Sequence, residues 1–200
     1  LLRKDPAYGT LRPEEWFDRP HFRIRVMGPE YMLAAAERKA RALGLNATIM
    51  ASSLNSLEAR IVGETMAHVA REIEAHDRPM AAPAVFLLGG ELVVTTGKNG
   101  GLGGRNQEFV AGAALHIADS RRIVLGSADS DGSDGPTDYA GGIVDGETLR
   151  RAAEAGLDVA EELRRHNTCG LLKGIGDAID TGILNTNVQD LRVVYVGASD

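Results

Sequence analysis

One cysteine, Cys169, stands in a chain of 200 residues, which excludes an internal disulfide and any thiolate cluster on a metal. Its expected role is that of a small buried hydrophobe. No apolar run approaches the ~18 residues that a membrane-spanning helix needs, and no basic-then-apolar leader is visible. No segment recurs with a period of ~20–50 residues, so a repeat architecture is not expected. A basic stripe is missing too: 22 Lys and Arg face 28 Asp and Glu, for a net charge of −6. That balance argues against nucleic acid or an anionic membrane as partner. Hydrophobic residues at 44% and charged residues at 25% exclude disorder, collagen and coiled coil. The expectation is a cytoplasmic globular protein that handles a small molecule. The chain opens on Leu1 rather than Met, and residues 1–20 show no clean period; a processed, engineered or incomplete piece is expected.

Glycine is what the chain has in excess, 24 residues of 200 against a typical ~7%. It concentrates at 89–104, 126–146 and 170–182. Charge is uneven: residues 1–80 carry 12 Lys and Arg against 11 Asp and Glu, and residues 81–200 carry 10 against 17. His21 to Met27 alternates basic with apolar residues and reads as a half-exposed strand. Pro29 suits a first helical position; Met32, Leu33, Ala36, Ala40 and Leu43 follow at helical spacing, and Gly44 closes the helix. Ala47 to Ala51 is a second strand. Asn55 and Glu58 make a capping-box-like start to a helix with Ile61, Val62, Met66, Val69 and Ile73 on its apolar face. Strand–helix–strand–helix is the cadence of a largely parallel α/β layer. Residues 74–83 interrupt it where the charge shifts, and a domain boundary is placed there. Further on, Ala84–Leu88 and Glu91–Thr95 read as strands joined by a Gly89-Gly90 hairpin. Asn106–Ala118 reads as a helix, Arg122–Gly126 as a buried strand, Ser127–Gly146 as an acidic loop, 147–155 and 158–165 as helices, and Leu191–Gly197 as a closing strand. Hairpins mixed with crossovers predict a mixed sheet.

Three stretches could carry chemistry. In Gly97 to Glu108, five glycines let backbone N–H groups approach an anion, and the helix start adds positive potential. Arg105 contributes a planar, permanently charged fork. The stretch is not a Walker loop, since Asn99 follows Lys98, and not G-x-G-x-x-G, since Asn106 fills the last slot. The plainer reading is a loop tip followed by a surface arginine. In Asp129 to Asp138 the acids are dense; from Ser127 to Thr148 there are six and no base. Such carboxylates need solvent, backbone donors or a cation. Asp134 in the sixth place and no Glu in the twelfth exclude an EF-hand. Mg²⁺, held by one or two carboxylates together with phosphates, is the favoured cation, with a turn of Asp side chains capping N–H groups as an equal alternative. Thr181 to Leu191 is a polar turn that Asx chemistry explains. The histidines (His21, His68, His76, His116 and His166) show no metal-ligand spacing, and no Gly-x-Ser-x-Gly elbow is present.

In chain order, Gly89-Gly90-Glu91, Gly103-Gly104-Arg105-Asn106-Gln107-Glu108, Asp131-Gly-Ser-Asp134-Gly-Pro-Thr-Asp138 and Thr186-Asn187-Val188-Gln189-Asp190-Leu191 resemble the MOFRL domain. That domain is the C-terminal part of type II glycerate 2-kinases, a family that also carries the name hydroxypyruvate reductase. The resemblance covers about Pro83 to Gly197. It implies an α/β fold: a mixed-sheet MOFRL-like domain at 83–200, preceded at 1–78 by the end of a Rossmann-like parallel α/β kinase domain. It also implies ATP-dependent phosphorylation of D-glycerate to 2-phosphoglycerate, with Mg²⁺, in an interdomain cleft. Arg105 matches the family's active-site arginine, and Asp134 is implied as a catalytic partner. Asp129 and Asp131 are implied metal ligands; Gly103, Gly104, Asn106, Glu108, Thr186 and Asn187 would line the substrate and nucleotide site. The chain departs from the family pattern at Ile183-Leu184-Asn185, where members carry Pro-Thr-Gly. Members are longer and carry their catalytic lysine outside the part matched here, so this piece alone is expected to be inactive; a homodimer is an expectation. Two alternatives stand. An NAD(P)H-linked hydroxypyruvate reductase would need a strand–GxGxxG–helix with an acidic residue downstream. A phosphate or small-molecule-binding module would fit a complete chain. The central expectation is geometric: Arg105 faces the 129–138 loop across a crevice and the two cage polyphosphate.

Overall fold

A computed structural model of the chain describes residues 24, 26–97 and 100–199. The elements run α1 (Pro29–Ala42), β1 (Asn46–Ala51), α2 (Ala59–His76), β2 (Ala84–Gly90), α3 (Arg105–Ala114), β3 (Ile123–Asp129), β4 (Gly141–Asp145), α4 (Thr148–Glu154), α5 (Val159–Arg164), α6 (Thr168–Ile175), β5 (Ala178–Ile179) and β6 (Asp190–Val196). Pro29 opens α1 behind an extended Gly28, a position where the missing N–H costs nothing. The Asp158 carboxylate caps α5 by accepting from the Glu161 N–H, satisfying an N–H that the helix itself leaves orphaned. The strand of His21 to Met27 falls mainly outside the described residues; Ile24, Val26 and Met27 belong to no strand.

The strands make one six-stranded sheet in the order β1-β2-β6-β3-β4-β5. β1 and β2 are parallel and every other pair is antiparallel, so the fold is mixed α/β. β6, last in the chain, lies in the middle, antiparallel to both β2 and β3. Alternation along each strand sorts side chains between the two faces. Phe86, Leu88, Ile123, Leu125, Val144, Val194 and Val196 enter the main core with α2, α3 and the short helices; Val85 and Leu87 join Leu33 and Ala40 of α1 on the other face.

Four expectations change. First, Gly89-Gly90 is not a hairpin: β2 runs through both glycines, which pair with Leu191 and Asp190. A Cβ on Gly90 would lie 2.5 Å from the Leu54 nitrogen, so glycine serves close approach rather than a turn. Residues 91–95 instead turn back to a parallel bridge between Glu58 and Val93. Second, the capping box does not form. Asn55 Oδ1 accepts from the Glu91 N–H and Glu58 accepts from Thr95, so both side chains fasten the 91–95 segment. Third, the buried face of α2 is Ala59, Gly63, Met66, Ala67, Ala70 and Ile73, leaving Ile61 exposed. A Cβ on Gly63 would overlap the Phe109 carbonyl, and one on Gly112 would lie 2.6 Å from the Arg60 carbonyl oxygen; small residues let α2 and α3 meet backbone to backbone. Fourth, part of the expected acidic loop is β4, and α6 stands where no helix was expected. The expected boundary near residue 78 falls between two strands of one sheet. β1 pairs directly with β2 and α2 packs on α3, so the described residues before 78 build onto the same layers as those after 83.

Candidate active site

The C-terminal ends of β2 and β3, the start of β6 and the start of α3 meet at one end of the sheet. Arg105 is the first residue of α3. Its Nε donates to Asp190 Oδ2 at 2.7 Å, and its Nη2 donates to Asp190 Oδ1 at 2.9 Å, Asp129 Oδ2 at 2.5 Å and Glu91 Oε1 at 3.4 Å. Nη1 has no hydrogen-bond partner among the described residues. Three strand ends therefore hold one guanidinium by a fork geometry that lysine could not reproduce. Burial works against the charge on Arg105, yet the hydrogen bond and charge of Asp190, followed by Asp129 and Glu91, carry it above its ordinary value. Asp190 is fully buried and also accepts from Arg192 Nη2 at 2.5 Å. Arg192, itself fully buried, donates to the Gly90 carbonyl at 3.1 Å and lies over the Phe109 ring, 5.7 Å from its centroid. Burial pulls Arg192 below the ordinary arginine value against the opposing charge of Asp190. Burial pushes Asp129 up to about 7, with Asp190 adding to the rise and the Asp131 N–H and Arg105 opposing it.

Asp134 has a different place from the one expected. It is fully buried and accepts from the backbone N–H groups of Asn106 at 3.1 Å and Gln107 at 2.9 Å, and from Asn106 Nδ2 at 3.2 Å. It caps α3 from across the loop, and burial raises it to about 6 in spite of those backbone donors. The N–H groups expected to greet an anion at this helix start are thus taken by a carboxylate of the chain itself. Gly104, the N-cap residue, leaves the room: a Cβ there would overlap the Asp134 carboxylate. The Asn106 side chain, also buried, accepts from the Ser127 hydroxyl at 2.5 Å, and Gln107 Nε2 donates to Thr137 Oγ1 at 2.9 Å. Thr186 and Asn187 are exposed, and Asn187 Nδ2 donates to Asp131 Oδ2 at 3.1 Å.

The candidate metal ligands do not converge. Asp129 faces Arg105, Asp131 accepts from Ser133 and Asn187, and Asp134 caps a helix. Among the described residues no three His, Cys, Asp or Glu side chains are grouped to hold an ion. A protein cage for Mg²⁺ does not fit this donor set.

Beside Arg105 lies a cavity of about 500 Å³, lined by Leu92, Val94, the glycine-rich loop, Arg105, Glu108 and His166 among others. Its volume falls within the range of small-molecule sites. The loop packs tightly on the segment after α5. The Gly101 N–H donates to the Arg165 carbonyl at 2.7 Å, and a Cβ on Gly103 would overlap Thr168 Oγ1. Glu108, buried, meets His166 Nδ1 at 3.0 Å, and burial raises its carboxyl against the pull of His166 and Arg60.

The MOFRL family model matches residues 84–190, more than half of the chain. The chain belongs to the MOFRL family. Glycerate 2-kinase of Pyrococcus horikoshii is 40% identical over 162 residues, which cover 81% of this chain and 36% of that protein. D-glycerate 2-kinase of Thermotoga maritima is 42% identical over 158 residues, covering 79% and 37%. A crystal structure of a glycerate kinase from Thermotoga maritima matches with a TM-score of 0.81 at 38% identity, covering 84% of this chain and 40% of that one. The chain therefore spans little more than a third of the length of these relatives. No helix among the described residues is long and apolar enough to cross a membrane.

Within the MOFRL segment, sequence reasoning passed over the groups that position Arg105. Asp190 is its last matched residue, and Arg192 lies just beyond. Both sit in a strand whose alternation would place hydrophobes inward. A charged pair at two inward positions, Asp190 and Arg192, was the available signal. Glu91 and His166 carried no such mark, because each reaches the site through chain reversals that spacing does not encode.

Proposed function

We propose that this chain forms one wall of the active site of a kinase that transfers a phosphoryl group from ATP to D-glycerate, giving 2-phosphoglycerate. The site lies in a cleft shared with a further part of the protein, and residues 29–78 stand on the same side of it as residues 83–199, since β1 pairs with β2 and α2 packs on α3. The observation that carries this reading is the Arg105 guanidinium, held at Nε and Nη2 by Asp190, Asp129 and Glu91 and left with Nη1 for a ligand beside a cavity of about 500 Å³. Kinship with proteins named glycerate kinase supports it.

Phosphoryl transfer asks the protein mainly for positioning and charge stabilisation. Arg105 supplies a fixed cation for the transferring group, and Asp190 and Asp129 orient it. Asp134 acts as a positioning residue, holding the start of α3 and hence Arg105. Gly103 and Gly104 let the loop close onto Thr168 and Asp134 and so shape the cavity wall beside Arg105, with Asn106 behind them and Thr186 and Asn187 bordering the cleft. ATP would bring the phosphoryl group, and any Mg²⁺ would come with its phosphates, since the described residues offer few ligands of their own.

The test is D-glycerate-dependent ATP consumption by the protein that carries this chain. Arg105→Lys keeps the charge but loses the fork, and kcat/KM is expected to fall about 10²–10³-fold. An unchanged rate would remove Arg105 from the mechanism. Absence of glycerate-dependent turnover would overturn the reading, and NADH oxidation with hydroxypyruvate would replace it with a reductase.

A further inference from the structure

Two groups on the cavity wall take no part in the Arg105 network. Glu108 lies one helical turn beyond Arg105 on α3, its side chain 3% exposed, and His166 follows α5, its side chain 21% exposed. Both line the cavity, and His166 Nδ1 meets Glu108 Oε1 at 3.0 Å. His166 adopts a left-handed backbone with φ 55°. After α1 and α4 the same position, one beyond the C-cap, is filled by Gly44 and Gly156, with φ of 80° and 72°. Glycine enters this region freely, whereas another residue held there carries a cost, and such costs collect at functional sites. The backbone on both sides is pinned: the Arg165 carbonyl accepts from the Gly101 N–H, and the Cys169 N–H donates to the Leu102 carbonyl. The backbone that carries the ring is thus fastened to the glycine-rich loop, and Glu108 holds the ring itself.

A carboxylate at Nδ1 holds the proton on that nitrogen and leaves the lone pair on Nε2. Nε2 has no hydrogen-bond partner among the described residues. We propose that His166, oriented by Glu108, accepts the proton of the substrate hydroxyl in the phosphoryl transfer, a role that rests on the kinase reading above. The hydroxyl oxygen forms a bond to the γ-phosphorus. The bond from that phosphorus to the β,γ-bridging oxygen breaks, and its electron pair leaves with ADP. The hydroxyl proton passes to Nε2, and the imidazolium is stabilised by Glu108 until it releases the proton to solvent. The charged groups around the pair are Arg60 and Glu58 at the start of α2, which act on Glu108 in opposite senses, and Arg105 on the same cavity. Burial with this partner keeps Glu108 dependent on the histidine.

The experiment has two arms. In the kinase carrying the chain, nitrogen NMR of the imidazoles is expected to show His166 with its proton on Nδ1, and Nε2 to shift on addition of D-glycerate. A proton on Nε2, or no shift, would overturn the proposal. In the kinase carrying the chain, His166→Asn tolerates the left-handed backbone and can still donate to Glu108. It is expected to lower kcat by about 10²–10⁴-fold with KM little changed and to flatten the acid limb of the pH profile. In His166→Gly, relieved of the backbone cost, free imidazole is expected to restore part of the rate. Asn and Gly variants with wild-type kcat and pH profile would overturn the assignment while leaving the kinase reading intact. A wild-type protein without glycerate-dependent turnover would instead end the kinase reading, and this assignment with it.

Discussion

Arg105 and Arg192 share one carboxylate, Asp190, and the two arginines differ in what surrounds them. Arg105 keeps a partly open side and three acidic partners, whereas Arg192 is sealed. A buried ion pair contributes little net stability, but removing one partner leaves the other short of compensation, and without Arg192 the buried Asp190 would keep Arg105 alone. Arg192→Ala is therefore expected to cost about 3–5 kcal/mol, read as a lower urea midpoint. Arg150→Ala, which removes exposed helix-surface pairs with Glu147 and Glu154, is expected to leave that midpoint unmoved. Equal effects would mean that Arg105 alone suffices for Asp190. Asp134 shows how far residue-level reading reaches: an acid in a glycine-rich turn gave cap or catalyst as equal options. The choice depended on the buried N–H groups of Asn106 and Gln107 lying 28 and 27 positions away in sequence.

Among the elements, α2 and α3 depend on glycine for their separation. Gly63→Ala adds a methyl that must displace the Phe109 carbonyl, and the gain in helix propensity, at most about 1 kcal/mol, does not offset it. A net loss of about 1–3 kcal/mol is expected from overpacking, measured by urea unfolding. Gly97→Ala, where a Cβ meets nothing within 4 Å, is the neutral control. The same dual use of glycine explains where the elements were legible. α1 announced itself through Pro29, its apolar spacing and Gly44, and the strands β3 and β6 through their apolar runs. Gly89-Gly90 and Gly141-Gly142 read as turns, yet they lie inside strands because Leu54 and Ser127 press against them. α6 was hidden by Gly170, Gly174 and Gly176, although Leu171 and Leu172 carry its buried face. The site's Arg105 was legible for its company of glycines and amides; its holders were not, since Glu91, Asp129 and Asp190 come from three separate strand ends.

For the molecule as a whole, the acidic end of the sheet sets the response to pH. Asp129 and Asp134 stand at about 7 and about 6 in the fold, against 3.8 ordinarily. The native state thus holds protons that the unfolded chain has released. Stability from this source is complete below about pH 4 and is lost as the pH rises through 6 and 7. The urea midpoint is expected to fall between pH 5 and pH 8, and Asp129→Asn to reduce that slope. A midpoint that climbs over the same range would show these carboxyls to be ionised and well paired.

The central position of β6 has a consequence for biosynthesis. During translation β1 and β2 can form their parallel ladder, and β3, β4 and β5 theirs, but no strand pairing joins the two halves of the sheet until residues 190–196 leave the ribosome. Until then the nascent chain exposes two open strand edges, the kind of surface that favours wrong pairing. Because Asp190 and Arg192 ride on that final strand, Arg105 gains its main partner in the same event that completes the sheet. A ribosome-stalled chain ending before residue 190 should therefore remain protease-sensitive across β2 and β3.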